Sequence, residues 1–273
     1  MRQTPHQNRP KSTRGDDYQA VPRPVAAMAR DLPSDYEIAW HKHPRYQLVY
    51  GAQGVMTVDT RGTQESAQGE TWVVPPQRAV WLPPGIEHRI LTSSMVKFRT
   101  LYVTAEAAGA MPQRCLAFAI TPLLRELIVR ATELPVEYDE KGSAGRVMQL
   151  ILDELASLTS LPYNLPMPSS KVLSGICRAI IETPNDRITI EALGARHGTT
   201  TRTLARGFRR ETGMSFSEWR RRARLLRALA WIAEGRPILA VALDLGYDSP
   251  SAFSAMFKRE FGQPPTHYRA SAS

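Results

Sequence analysis

His41 and His43 stand two residues apart in a stretch rich in Tyr, Ile and Trp, with Gln47 four residues further on and His88 after Pro83-x-Gly85. Alternate residues of a strand share a face, so His41 and His43 are expected to point together. His88, on a later strand, completes a three-histidine cluster suited to Zn, Fe, Ni or Mn. The same three histidines and Gln47 suit a second chemistry, and the pattern favours it: the hydrogen bonding of a small organic molecule without metal. Trp40, Trp72, Trp81, Tyr50 and Tyr102 are then either pocket walls or ordinary core.

A different chemistry lies near the C-terminus. Arg202, Arg206 and Arg209 recur at helical spacing, so their guanidinium groups project from one side. An arginine fork donates to guanine O6 and N7 together, which gives about 1–3 kcal/mol of base discrimination. Between Ser217 and Glu234 lie Arg220, Arg221, Arg222, Arg224 and Arg227, which read either as phosphate contacts or as a solvated helix surface.

These residues need elements to hold them. Tyr36–Trp40, Tyr46–Tyr50, Val55–Thr60, Thr71–Val74, Ala79–Leu82, Arg89–Thr92, Val96–Val103 and Arg114–Ile120 read as short strands between Gly- and Pro-rich turns, the pattern of a sandwich or small barrel. Pro122–Leu134 and Arg146–Leu158 carry apolar residues at helical spacing. The stripe on Arg146–Leu158 either pairs with a second copy or packs on its own barrel. The proline-rich stretch from Thr159 to Ser170 breaks helix and reads as a linker.

Beyond Lys171 the chain reads as short helices, and a repeat appears. Phe208-Arg-Arg-Glu-Thr-Gly213 aligns with Phe257-Lys-Arg-Glu-Phe-Gly262 at an offset of 49, and Ile190, Leu193 and Gly198 align with Ile238, Val241 and Gly246 at an offset of 48. The second copy therefore has one extra residue in its turn. Each copy offers a short apolar helix stopped by glycine, then a hydroxyl cap (Thr200 or Ser249) on a second helix. Leu204 and Phe208, or Phe253 and Phe257, face inward there. The outer face carries Thr200, Arg202, Ala205, Arg206 and Arg209 in the first copy, and Ser251, Ser254, Ala255, Lys258 and Arg259 in the second. The first copy is expected to read bases and the second to rely on phosphate contacts and shape. A rod of about 18 residues, about 27 Å long, joins them.

The runs Arg224-Leu-Leu-Arg-Ala-Leu-Ala-Trp-Ile-Ala-Glu-Gly-Arg-Pro, Ala242-Leu-Asp-Leu-Gly-Tyr-Asp-Ser-Pro-Ser-Ala-Phe and Phe257-Lys-Arg-Glu-Phe-Gly-Gln-Pro-Pro-Thr-His-Tyr-Arg resemble the AraC/XylS family of transcription regulators over about the last hundred residues. That resemblance implies a seven-helix DNA-binding domain with two helix-turn-helix units. Gly207 inside the first recognition helix and Ala255 in the second depart from it. Upstream, His41-x-His43-x3-Gln47-x6-Gly54 and Pro83-x-Gly85-x2-His88 resemble the two cupin motifs, with Gln47 in place of glutamate, Gln77 in place of the second motif's leading glycine, and Thr92 in place of its trailing asparagine.

Bulk composition agrees. Of 35 basic residues, 17 lie after Ser170 against 9 acidic ones, so nearly all of the +9 charge sits in the last third. A basic domain beside a neutral one implies a polyanion partner for one of them. Two cysteines and no long apolar run argue for the cytoplasm, without disulfides or a membrane span. No hydrolase elbow, phosphate-binding glycine loop or Cys/His zinc spacing occurs, which argues against an enzyme.

The reading is therefore a multidomain α+β chain. It has a disordered tail (1–20), a cupin-like β-barrel that senses an effector (21–120), a helical dimerisation segment (121–160), a linker (161–170), and an all-α domain with two helix-turn-helix units (171–271). Its expected partners are double-stranded promoter DNA, a small-molecule effector, a second copy in a homodimer, and RNA polymerase if it activates. A divalent metal in the barrel is the possible cofactor. The alternative is a cupin-type metal-dependent oxygenase or metal sensor fused to a DNA-binding domain.

Overall fold

A computed structural model describes residues 11–62, 69–76, 78–109, 111–158, 160–161, 164–184 and 188–269. The first ten residues of the expected tail, Gln77, the stretch Thr159, Pro162 and Tyr163, and residues 270–271 lie outside the described residues.

The N-terminal half contains β1 (Val25–Leu32), β2 (Glu37–His41), β3 (Tyr46–Gly51), β4 (Met56–Thr60), β5 (Gly69–Val74), β6 (Arg78–Leu82), β7 (His88–Thr92), β8 (Val96–Val103), a short helix α1 (Ala105–Ala108) and β9 (Leu116–Ala119). Two helices follow, α2 (Pro122–Glu133) and α3 (Ser143–Ala156), then β10 (Ser160–Leu161) and β11 (Asn164–Met167). The strands form one antiparallel sheet in the order β1-β8-β3-β6-β9-β10 and another in the order β11-β5-β4-β7-β2. The β domain is thus two facing sheets rather than a closed barrel.

Periodicity explains the layers. Met56, Val58 and Thr60 are buried while Thr57 and Asp59 between them are half-exposed, so β4 turns one face inward. Strand β3 is buried throughout because both its faces are covered. Between the sheets lie Met28, Val49, Val58, Trp72, Phe98 and Tyr102. On the outer face of the six-stranded sheet, Leu48, Tyr50, Trp81 and Leu101 pack against Leu124 and Ile128 of α2 and Met148, Ile151 and Leu155 of α3. The apolar stripe of α3 therefore packs on its own sheet, although Leu150 stays 40% exposed.

Two segments depart from expectation. Within the stretch read as a disordered tail, Gly15–Tyr18 forms a 3-10 turn, and Tyr18 is buried against Tyr102 with ring centroids 6.0 Å apart. Composition missed this because the order comes from a distant partner, Arg45. Its guanidinium donates to Gln19 O at 3.0 Å, to Arg23 O at 3.1 Å and to Val21 O. In the stretch read as a linker, β11 pairs with the edge strand β5, so residues 164–167 are part of the second sheet.

The C-terminal part holds seven helices among the described residues: α4 (Lys171–Glu182), α5 (Ile190–Arg196), α6 (Thr201–Thr212), α7 (Phe216–Ala233), α8 (Ile238–Asp244), α9 (Pro250–Phe261) and α10 (Pro265–Arg269). α7 begins at a capping box made by Ser215 and Glu218. Trp219, Leu225, Leu226, Ala228, Leu229 and Ile232 are each at most 2% exposed, so α7 is buried around most of its girth and carries both repeats.

Close approach fixes two glycines. A Cβ on Gly207 would sit 2.9 Å from Leu173 Cδ1, so the glycine inside α6 admits α4. A Cβ on Gly194 would meet Thr199 O at 2.9 Å, within the turn itself. Leu173 can swing aside, whereas a backbone carbonyl cannot. Gly194→Ala is therefore expected to cost about 1–3 kcal/mol in chemical denaturation through overpacking, and Gly207→Ala distinctly less. Equal losses at both positions would contradict this packing.

Candidate functional site

The two repeats give near-identical units. α6 and α9 are each 12 residues long. Thr200 Oγ1 accepts from Thr203 N at 3.2 Å, and Ser249 Oγ from Ala252 N at 3.2 Å. Both helices end at a left-handed glycine, Gly213 with φ 71° and Gly262 with φ 75°. The turns run from His197 to Thr200 and from Leu245 to Ser249, so the second is one residue longer.

Burial separates the faces. Leu204, Phe208, Phe253 and Phe257 are buried, while Thr200, Arg202, Ala205, Arg206, Arg209, Ser251, Lys258 and Arg259 are exposed and Ser254 is half-exposed. Arg202 and Arg206 make no hydrogen bond or ion pair with other described residues, so their donors are free for a ligand. The hydroxyl of Thr200 is committed to capping α6.

The arginine run on α7 behaves differently. Arg220 donates to Ile188 O at 2.7 Å and lies over Phe216, Arg222 donates to Asn164 Oδ1 at 3.1 Å, and Arg224 donates to Pro184 O at 2.7 Å. Arg227 covers the Trp231 ring. Of the five, Arg221 alone is classed as exposed. Most of the run thus braces the domain, which spacing could not reveal because the acceptors are backbone carbonyls far along the chain.

The histidines meet at one end of the β domain. His41 closes β2 and stands directly opposite His88 on β7. His43 lies beyond the strand, in the loop to β3, so the expected shared strand face does not bring it in; the loop does. One nitrogen from each ring lies within 4.8 Å of the others. Gln47, reaching across from β3, has Oε1 2.9 Å from His43 Nε2, while its Nε2 donates to Thr100 Oγ1 at 3.0 Å.

Burial lowers the His43 pKa, and it pushes His88 down to about 3, helped by the neighbouring His41 and His43. Both rings are therefore neutral at pH 7. His88 is fully buried and its Nε2 has no hydrogen-bond partner among the described residues, a state that costs about 1–3 kcal/mol if nothing satisfies it.

A cavity of about 390 Å³ opens beside this cluster, lined by His41, His43 and Gln47 with Met28, Ile38, Trp40, Phe98 and Tyr102, and closed on one side by residues 13–16 and Gln19. Of the five aromatics, Trp40 and Tyr102 line the cavity, whereas Trp72, Trp81 and Tyr50 belong to the packed core. Arg45, Thr100 and residues 13–16 escaped sequence reading, since only the fold brings them here.

The two regions touch. Asn164 Nδ2 donates to Glu70 Oε1 at 2.6 Å on β5, and its Oδ1 accepts from Arg222 of α7. Trp219 Nε1 donates to Pro166 O at 2.7 Å, Ser93 Oγ to Glu234 Oε1 at 2.8 Å, and Val55 and Val73 pack on Ala230 and Ala233.

A cavity-bearing β domain fastened to paired helix-turn-helix units defines a two-part regulator of transcription. Comparison with known proteins agrees. A family model described as a helix-turn-helix domain matches residues 193–271, and one described as an AraC-like ligand binding domain matches residues 30–193. The HTH-type transcriptional regulator NimR of Escherichia coli strain K12 is 32% identical over 230 residues, which are 84% of this chain and 81% of NimR. Regulatory protein SoxS of Salmonella typhimurium is 33% identical over 104 residues, 38% of this chain and 97% of SoxS. The crystal structure of ToxT from Vibrio cholerae O395 covers 92% of this chain and 98% of its own at 11% identity, with a TM-score of 0.38. The chain belongs to the AraC/XylS family of transcription regulators, a family of DNA-binding proteins rather than enzymes.

Two exposed arginines, Arg206 on α6 and Arg221 on α7, yield a test. Arg206→Ala should relax preference at one base position by about 1–3 kcal/mol, whereas Arg221→Ala should weaken binding to every sequence and lower the salt slope by about one. Binding measured against a panel of single-base variants over a salt series separates them. Equal, sequence-blind losses would point to a general nucleic-acid coat.

Proposed function

We propose that the protein reads a promoter through α6 and α9 and that a small molecule in the β-domain cavity changes how those helices are presented. The observation that carries this reading is the direct fastening of α7, the helix bearing both repeats, to β5, β11 and the β4 side of the sensor. A ligand that shifts the five-stranded sheet thereby has a route to the DNA-reading surface. Coupling of this kind requires unequal ligand affinity for two arrangements, commonly worth about 1–3 kcal/mol.

Base reading falls to Arg202, Arg206 and Arg209, with Ala205 leaving room for a thymine methyl. Ser251, Ser254, Lys258 and Arg259 supply phosphate and shape contacts in the adjacent groove. The effector meets His41, His43 and Gln47 at the polar end, with His88 buried behind them, and the Trp40 and Phe98 walls at the apolar end. A homodimer is the operating form, and the exposed Leu123 and Leu150 of α2 and α3 are available to it. Contact with RNA polymerase follows where the protein activates.

Operator affinity measured at fixed salt, with and without compounds that shift the protein's melting temperature, tests the reading. A bound compound is expected to change DNA affinity by 5- to 150-fold. Asn164→Ala, which cuts the bridge between Glu70 and Arg222, should shrink that change while leaving ligand affinity within a factor of two. A stabilising ligand that leaves DNA affinity untouched would overturn the coupling.

A further inference from the structure

A hollow of about 560 Å³ lies apart from the sensor cavity, on the helical side of the six-stranded sheet, between α3 and the segment that runs from the end of β8 through α1. The two share no lining residue. The buried floor of the hollow is Trp81, Val103 and Leu155, with Met111 and Leu152 half-buried beside them. The space exists because the residues around it are small. Ala107, Ala108 and Gly109 on one side and Ala156 on the other reach too little to fill it. The floor is fixed in place: Trp81 stacks on Tyr46 with ring centroids 5.0 Å apart, and its Nε1 donates to Pro112 O at 3.0 Å. Thr104 caps α1, its hydroxyl accepting from Ala107 N at 3.3 Å.

The rim carries charge of one sign. Glu106 on α1 and Asp153 on α3 line the hollow, both exposed, and no Lys, Arg or His among the described residues lines it. Asp153 Oδ1 accepts from Gln149 Nε2 at 3.1 Å, and neither carboxylate forms an ion pair among the described residues. The Glu106 carboxyl is held below the usual carboxylate range, first by its own backbone N–H and then by the Thr104 hydroxyl, so it stays ionised. Arg45, whose charge reaches Glu106, is buried and spent on three backbone carbonyls. Arg146 lines a neighbouring hollow, two turns of α3 and about 10 Å from Asp153.

We propose that this hollow is a second small-molecule site and that it takes an organic monocation with a compact apolar body. Its volume falls in the range of ligand sites, about 300–1,000 Å³. An ion pair this exposed to water contributes little by itself. Affinity therefore comes from covering the apolar floor, and the two carboxylates select the sign of the head group. An anion of the same shape meets two uncompensated negative charges. α3 ends at Ala156, just before β10, and the chain continues through β11, where the Pro166 carbonyl holds Trp219 of α7. An occupant against Ala156 is thus placed beside the segment that fastens the DNA-reading helices. Its effect on DNA binding rests on the coupling proposed above, whereas its binding does not.

The test is calorimetric titration of the full-length protein with 1-naphthylmethylammonium, against its neutral isostere 1-naphthalenemethanol. The cation is expected to bind about fivefold more tightly than the alcohol at low salt, and that preference should largely vanish at about 1 M NaCl. Asp153→Asn and Glu106→Gln should each weaken the cation about threefold and leave the alcohol unchanged. Ala156→Leu, which fills the space, should weaken both probes about tenfold. Melting curves verify that the variants are folded. Absence of saturable binding by the cation overturns the site, as does binding indifferent to Ala156→Leu and to both carboxylate variants. An alcohol bound as tightly as the cation overturns the charge selection. A bound cation that leaves operator affinity unchanged supports the site and counts against the coupling instead.

Discussion

Burial of α7 is the constraint on which the rest depends. Its Trp219, Leu225, Leu226, Leu229 and Ile232 are removed from water on several sides at once, against α4, both repeats and α10. Each such side chain contributes roughly 1.5–3 kcal/mol when fully buried. A helix held around most of its girth resists sliding, which favours a fixed separation of α6 and α9. Trp219 makes the point in a single residue: its ring fills the core beneath Phe208, and its Nε1 donates to the sensor at Pro166. Spacing on DNA and attachment to the sensor are thus properties of the same helix.

That arrangement divides the arginines by physical role. A guanidinium that reaches a backbone carbonyl, as Arg220 and Arg224 do, has given its hydrogen bonds to the fold. Arg202 and Arg206 have not, and they stand four residues apart on the face opposite Leu204 and Phe208. Charge alone treats all of these side chains alike, and the fold does not. The second repeat has Ser251, Ser254 and Ala255 on the corresponding face, so the two faces differ in charge.

The helical domain was largely legible from sequence because its signals are local. Ser215 and Glu218 mark the start of α7, Gly213 and Gly262 mark helix ends, and the repeat aligns the two units. What escaped was set by contacts distant in sequence. Arg45 anchors residues 19–23 through carbonyls that no pattern identifies, and β11 is a strand because the edge of β5 and Trp219 await it. The three histidines do lie together, yet His43 arrives by a loop rather than by strand alternation. Gly207, which looked like a flaw in a helix, makes room for Leu173.

The paired helices should meet successive major grooves along one face of a duplex. Hydroxyl-radical footprinting of the purified protein on its promoter addresses that most directly. Two protected zones about 34 Å apart on the same face are expected for each monomer bound. A single short zone, or two zones on opposite faces, would contradict it.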